Sequence, residues 1–160
     1  MKSKLQGLII LIVDDEPDIL SLLEEEIKDA CSHCRVVKAE TYEWARDLMN
    51  STPYDLVLLD IMGVRGFDLL EQAVSLNFKV VMLTAHALSP ETMRRAFEMG
   101  ARAYLPKEQL ANIIPFLEDV LSPDPLSAWR RVFERLGDFF NQRFGSGWQQ
   151  KDEDVWKKLK

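Results

Sequence analysis

The stretch Leu8-Ile9-Ile10-Leu11-Ile12-Val13-Asp14-Asp15 decides the fold. Six apolar residues without alternation, ended by two carboxylates, read as a strand buried on both faces, as in a parallel sheet. A second run, Leu56-Val57-Leu58-Leu59-Asp60, repeats the pattern. If the two strands are neighbours, Asp14, Asp15 and Asp60 converge on one spot. Like charges that close repel, so they need a cation or a raised pKa. Hard carboxylate oxygens with few other donors point to Mg²⁺.

Working outward, strand and helix signals alternate. The first strand covers about 8–13. Pro17 opens a helix through Ala30, with Ile19, Leu20, Leu22, Leu23 and Ile27 on its apolar face. Val36-Val37 mark a second strand, and Thr41 caps a helix to about Asn50. Residues 54–60 form the third strand. Gly63 and Gly66 turn the chain into a helix at about 67–76. Lys79 to Leu83 is the fourth strand. Ser89-Pro90 is an N-cap followed by Pro in the first turn, opening a helix that ends at Gly100. Ala103 to Leu105 is the fifth strand. The next helix runs to about Leu121; Pro115 means that it starts near Asn112 or is kinked.

Five strands alternating with helices predict an α/β fold, a parallel sheet covered on both faces. Ligands of such sheets bind beyond the carboxyl ends of the strands. Asp14, Asp15, Asp60, Thr84 and Lys107 all fall at such ends.

At 160 residues the chain fits one domain and an appendage. The net charge of −6 argues against a nucleic-acid or anionic-membrane surface. No segment approaches the roughly 20 apolar residues needed to span a bilayer. The opening Met1-Lys2-Ser3-Lys4 and the apolar run after it imitate a signal peptide, but the run is short and ends in Asp14-Asp15-Glu16. A cytoplasmic protein is expected. Cys31 and Cys34 are then read as reduced thiols at a helix-to-strand turn. His86 is the only histidine besides His33, so no tetrahedral metal set is completed.

The acidic pair in Val13-Asp14-Asp15-Glu16-Pro17, Asp60 in Leu59-Asp60-Ile61-Met62, Thr84-Ala85 and Tyr104-Leu105-Pro106-Lys107 together resemble the receiver domain of two-component response regulators. The resemblance covers about residues 5–121. It implies a flavodoxin-like sheet of strand order 2-1-3-4-5. It implies that Asp60 accepts a phosphoryl group from a sensor histidine kinase, a histidine phosphotransfer protein or a small acyl phosphate. Asp14, Asp15, Asp60 and the main-chain carbonyl of Met62 would hold Mg²⁺. Lys107 and the Thr84 hydroxyl would meet phosphoryl oxygens, and Thr84 and Tyr104 would form the switch. Met62 and His86 would lie near the path of the hydrolytic water. Two details depart from the family. The turn Met62-Gly63-Val64-Arg65-Gly66 is about two residues short. Glu108 follows Lys107 where a cis proline is usual, so no cis bond is expected there.

Ser122-Pro123-Asp124-Pro125 is a boundary, dividing a receiver at 1–122 from an extension at 123–160. The extension has eight Lys/Arg and six Asp/Glu, a net of +2, leaving −8 for the rest. It holds seven of the fifteen aromatics. Leu126, Trp129, Phe133, Leu136, Phe140 and Phe144 recur at helical spacing up to Gly145-Ser146-Gly147. A final helix is expected at about 151–159. So much apolar surface should pack on the receiver or on a second copy, as a homodimer.

The leading functional expectation is a phosphorylation-controlled protein-interaction switch, not an enzyme beyond its own phosphorylation and dephosphorylation. The alternative is a transcription regulator that binds DNA as a dimer through the extension; the basic cluster Arg130, Arg131 and Arg135 is explained more simply as a solvated helix face. A haloacid-dehalogenase-type phosphatase would want Asp where Met62 stands. A flavin-binding protein would want a Ser/Thr/Gly-rich phosphate loop where Asp14-Asp15-Glu16 stands.

Overall fold

A computed structural model describes residues 3–86 and 88–159. Five parallel strands form one sheet: β1 (Ile9–Val13), β2 (Arg35–Ala39), β3 (Leu56–Asp60), β4 (Lys79–Thr84) and β5 (Ala103–Pro106). Their order is β2-β1-β3-β4-β5, the order expected from the resemblance. Every residue of β3 is buried, as an unbroken apolar strand in a two-faced sheet requires.

The helices are α1 (Pro17–Ala30), α2 (Tyr42–Ser51), α3 (Gly66–Ser75), α4 (Pro90–Glu98) and α5 (Ile113–Val120). The chain runs from β1 outward to β2 but from β3 through β4 to β5 in the opposite sense. Right-handed crossovers therefore place α1 on one face and α2 to α4 on the other. In keeping with this, α1 packs with α5, and α2 with α3.

Local chemistry sets several starts. The Thr41 hydroxyl accepts from the Trp44 amide at 3.1 Å, and Ser89 does the same for Thr92. Pro115 falls in the first turn of α5, preceded by a 3₁₀ segment at Lys107–Asn112. The helix thus starts after Asn112 and the proline costs it no internal hydrogen bond. No cis peptide occurs among the described residues, so the bond after Lys107 is trans.

Beyond Asp124, whose carboxylate caps the Leu126 amide at 3.0 Å, α6 runs over Pro125–Phe144. Gly145, at φ +91°, ends it. The expected last helix is broken into 3₁₀ Trp148–Asp152, α7 (Glu153–Trp156) and 3₁₀ Lys157–Leu159. So short a segment has little helical stability of its own, and its shape follows its packing.

The extension covers β5, one of the two sheet edges. The Trp129 indole N–H donates to the Ala101 carbonyl at 2.8 Å, just before that strand. Its ring lies 5.2 Å from that of Phe97 on α4. Trp129, Phe133, Phe140, Trp148 and Trp156 pack edge-on or tilted in one cluster. Covering an edge strand also removes a template for unwanted strand pairing.

The cysteine expectation needs correction. Cys31 and Cys34 are joined as a disulfide. Cys31 leaves α1 with extended backbone, and the chain reverses so that the two Cα atoms stand 5.6 Å apart, within bridging range. Among the described residues no helix is long and apolar enough to cross a membrane.

Candidate functional site

Register builds the site. Val13 of β1 pairs with Leu59 of β3, so Asp14 and Asp60 leave adjacent strands side by side. Thr84 of β4 pairs with Pro106 of β5, which sets Lys107 just beyond Thr84. Asp14, Asp60 and Thr84 are buried, whereas Asp15 is exposed. Each of the three aspartates offers an oxygen, and these atoms lie within 4.8 Å of one another. The strand ends thus bring together the carboxylates that the sequence placed apart.

Lys107 spans the cluster. Its Nζ stands 2.7 Å from Asp14 Oδ2, 3.1 Å from Asp60 Oδ1 and 3.4 Å from Glu16 Oε1. Burial alone would pull its pKa down, but hydrogen bonds and charges from Asp14 and Asp60 outweigh this and raise it. Asp60 is pushed from 3.8 up to about 6, first by burial and then by the Asp14 charge, with Lys107 opposing both. Asp14 is also raised by burial, although Lys107 and the Glu16 amide pull it down. That amide donates to Asp14 Oδ1 at 2.9 Å. Apart from the lysine ammonium, Asp14 Oδ2 has no hydrogen-bond partner among the described residues.

The donor set fits a hard divalent cation. It is made of carboxylates, one ammonium cannot neutralise all of them, and a buried oxygen is left short of partners. Two glycines shape the cradle. A Cβ on Gly63, at φ +86°, would lie 2.3 Å from Asp15 Oδ2. A Cβ on Gly66 would lie 2.2 Å from the Asp60 carbonyl oxygen. Both approaches are possible only without a side chain. Met62 lies in the same loop with its side chain exposed, and His86 is exposed beyond β4.

Tyr104 is fully buried. Its hydroxyl accepts from the Ser89 amide at 3.1 Å and lies 2.7 Å from Thr92 Oγ1. Burial raises its pKa. The sequence had marked Ser89 only as a helix cap and had not marked Thr92. Their spacing is a capping signature, but nothing in it says that a strand tyrosine will share the cap. Glu16, Gly63 and Gly66 likewise stood in the sequence as charge and turn residues, without their contacts to the cluster.

The description "Response regulator receiver domain" matches residues 10–115. This chain belongs to the response regulator receiver family. It is 34% identical over 115 residues to the two-component response regulator ARR18 of Arabidopsis thaliana, covering 67% of this chain and 18% of that protein. It is 31% identical over 107 residues to the transcriptional regulatory protein CitB of Klebsiella pneumoniae, covering 64% and 45% respectively. The chain thus spans less than a fifth of the length of ARR18. Among solved structures, a receiver domain of a DNA-binding response regulator from Colwellia psychrerythraea 34H superimposes with a TM-score of 0.61 at 25% identity, covering 69% of this chain and 97% of that one. NtrX from Brucella abortus gives 0.64 at 26% identity, covering 86% and 30%. Receiver domains of this family are signalling phosphoacceptors of the two-component type, and the strand-end carboxylates of this chain are consistent with that role.

Proposed function

We propose that Asp60 is the phosphoryl acceptor and that residues 1–122 act as a receiver, in the cytoplasm, whose phosphorylation state controls protein–protein interaction. The observation that carries this reading is the convergence of Asp14, Asp15 and Asp60 within 4.8 Å, with Lys107 reaching two of them. The donor is a phosphohistidine of a sensor histidine kinase or histidine phosphotransfer protein, or a small acyl phosphate. A carboxylate oxygen of Asp60 forms the new bond to phosphorus as the bond from phosphorus to the imidazole nitrogen breaks, and the released imidazole takes up a proton.

Phosphoryl transfer asks mainly for positioning and neutralised charge. Asp14, Asp15, Asp60 and the main-chain carbonyl of Met62 would hold Mg²⁺, which supplies charge neutralisation at acceptor and phosphoryl oxygens when bound. Burial and the Asp14 charge make Asp60 reluctant to ionise, so it enters the reaction best once that repulsion is screened. Lys107 exchanges part of its carboxylate pairing for a phosphoryl oxygen. Thr84, buried at the end of β4, offers its hydroxyl to another and draws its loop inward, favouring the buried setting of Tyr104.

The extension supports the protein-interaction reading over DNA binding. Arg130 donates to the Leu159 carbonyl at 3.1 Å, and Arg135 pairs with Asp119 at 3.0 Å. Two members of the basic cluster are thus paired within the chain, each with its side chain 41% exposed.

Incubation with acetyl phosphate and Mg²⁺, read by intact mass, tests the assignment. The wild-type chain should gain one phosphoryl group and Asp60→Asn none. Equal labelling of the variant would move the acceptor elsewhere.

A further inference from the structure

The extension is tied to the same helix that the buried tyrosine holds. At its amino end, α4 is bound to Tyr104 through the Ser89 amide and the Thr92 hydroxyl, at 3.1 and 2.7 Å. Two turns on, its Phe97 ring stands 5.2 Å from Trp129 and 5.4 Å from Trp156 of the extension. Between them, Arg94 Nη1 pairs with Asp152 Oδ1 at 2.8 Å, and the Asp152 side chain is mostly buried. One short helix thus has a grip on the strand tyrosine at one end and a grip on the extension at the other.

Two further supports of the extension lie on either side of the site's own lysine in sequence. Arg143 on α6 binds Glu108, the residue after Lys107, at 2.9 and 3.0 Å. Trp129 holds the Ala101 carbonyl two residues before β5, the strand that carries Tyr104. Short packed elements shift as units, because close-packed interfaces have few discrete arrangements. A state that favours the buried tyrosine therefore favours this seat for the extension.

We propose that residues 125–159 are the built-in reader of the phosphorylation site: a helical partner seated in cis on the face formed by α4, β5 and α5, and held more tightly when Asp60 is occupied. This rests on the reading of Asp60 as acceptor. The coupling is reciprocal, so an extension that packs well on α4 also favours occupancy. Phosphate then reaches other proteins by changing how firmly this face is already covered.

The test uses the full chain with Mg²⁺ and beryllofluoride, a phosphoryl mimic. Fluorine NMR reports occupancy, and amide hydrogen exchange reports the extension. Occupancy should slow exchange in 125–159 by about fivefold or more, the lower end of typical coupling. Thr92→Val, which removes the hydroxyl between Tyr104 and α4, should keep the bound fluoride signal and lose most of that protection. Bound fluoride with unchanged or faster exchange in the wild-type extension would overturn the coupling while leaving the acceptor in place. Full protection in Thr92→Val would show that the Thr92 hydroxyl does not carry the coupling and would overturn that step of the proposal. No bound fluoride in the wild type would overturn the acceptor assignment and the proposal with it.

Discussion

Replacing Asp60 by asparagine should stabilise the metal-free protein at neutral and alkaline pH. The folded chain raises the Asp60 pKa from 3.8 to about 6, chiefly by burial and secondly by the Asp14 charge. A carboxyl raised on folding keeps its proton longer in the folded state than in the unfolded one. Between about pH 4 and pH 6 the folded protein therefore binds more protons, and stability falls as pH rises through that window. Below it the penalty is absent; above it the penalty is complete. At about 1.4 kcal/mol for each tenfold change in proton affinity, the full penalty is about 3 kcal/mol. The amide side chain of the Asp60→Asn variant cannot ionise and escapes it. The melting temperature of Asp60→Asn in EDTA should then exceed wild type by about 6–12 °C at pH 8, with the gap nearly closed at pH 4. Added Mg²⁺ should shrink the gap at pH 8, because it stabilises the wild-type carboxylates preferentially. Parallel pH profiles for the two proteins, or a less stable variant at pH 8, would refute the claim that burial and repulsion dominate over the Lys107 pairing.

Three further outcomes follow from the same geometry. Gly63→Ala would push a Cβ to 2.3 Å from Asp15 Oδ2 and force a glycine-type backbone on alanine, so Mg²⁺ affinity measured by calorimetry should fall about tenfold, a cost of about 1.4 kcal/mol; unchanged affinity would show that Asp15 is not held by that loop. Trp129→Ala removes a fully buried ring and its bond to Ala101, and should lower unfolding free energy by about 3–5 kcal/mol in urea; a loss under about 1 kcal/mol would mean that the extension is not part of the core. Deleting residues 123–160 should lower solubility by uncovering Phe97 and the β5 edge, as seen by light scattering, and a monodisperse, equally stable truncation would contradict the packed extension.

Much of this was legible because strand ends are sharply marked. An apolar run has to stop where it meets water, so the sequence alone marks Asp14, Asp60 and Lys107 at the carboxyl edge. Pro17 and the Thr41 and Ser89 caps gave helix starts for similar reasons: a missing N–H or a local hydroxyl acts within one turn. Contacts across the fold were less readable. Gly63 advertised a turn, but its approach to Asp15 depends on where two loops meet in space. The bridge between Cys31 and Cys34 turns on a reversal of the backbone after α1, which spacing alone leaves open, and the redox argument drawn from compartment pointed the other way. The aromatic spacing of α6 predicted a buried face without saying which surface buries it. The seat on Phe97, Ala101 and the β5 edge is a matter of tertiary shape. The last segment, too short to be helical on its own, takes its form from the tryptophan cluster.

The measurement that bears most directly on the account is chemical trapping of the phosphorylated side chain. After exposure to acetyl phosphate and Mg²⁺, borohydride reduces an acyl phosphate of aspartate to homoserine, which peptide mass spectrometry locates. The account predicts homoserine at position 60 and at no other aspartate. A phosphorylated protein whose trapped residue lies at another position, with the carboxylate of Asp60 intact, would contradict it.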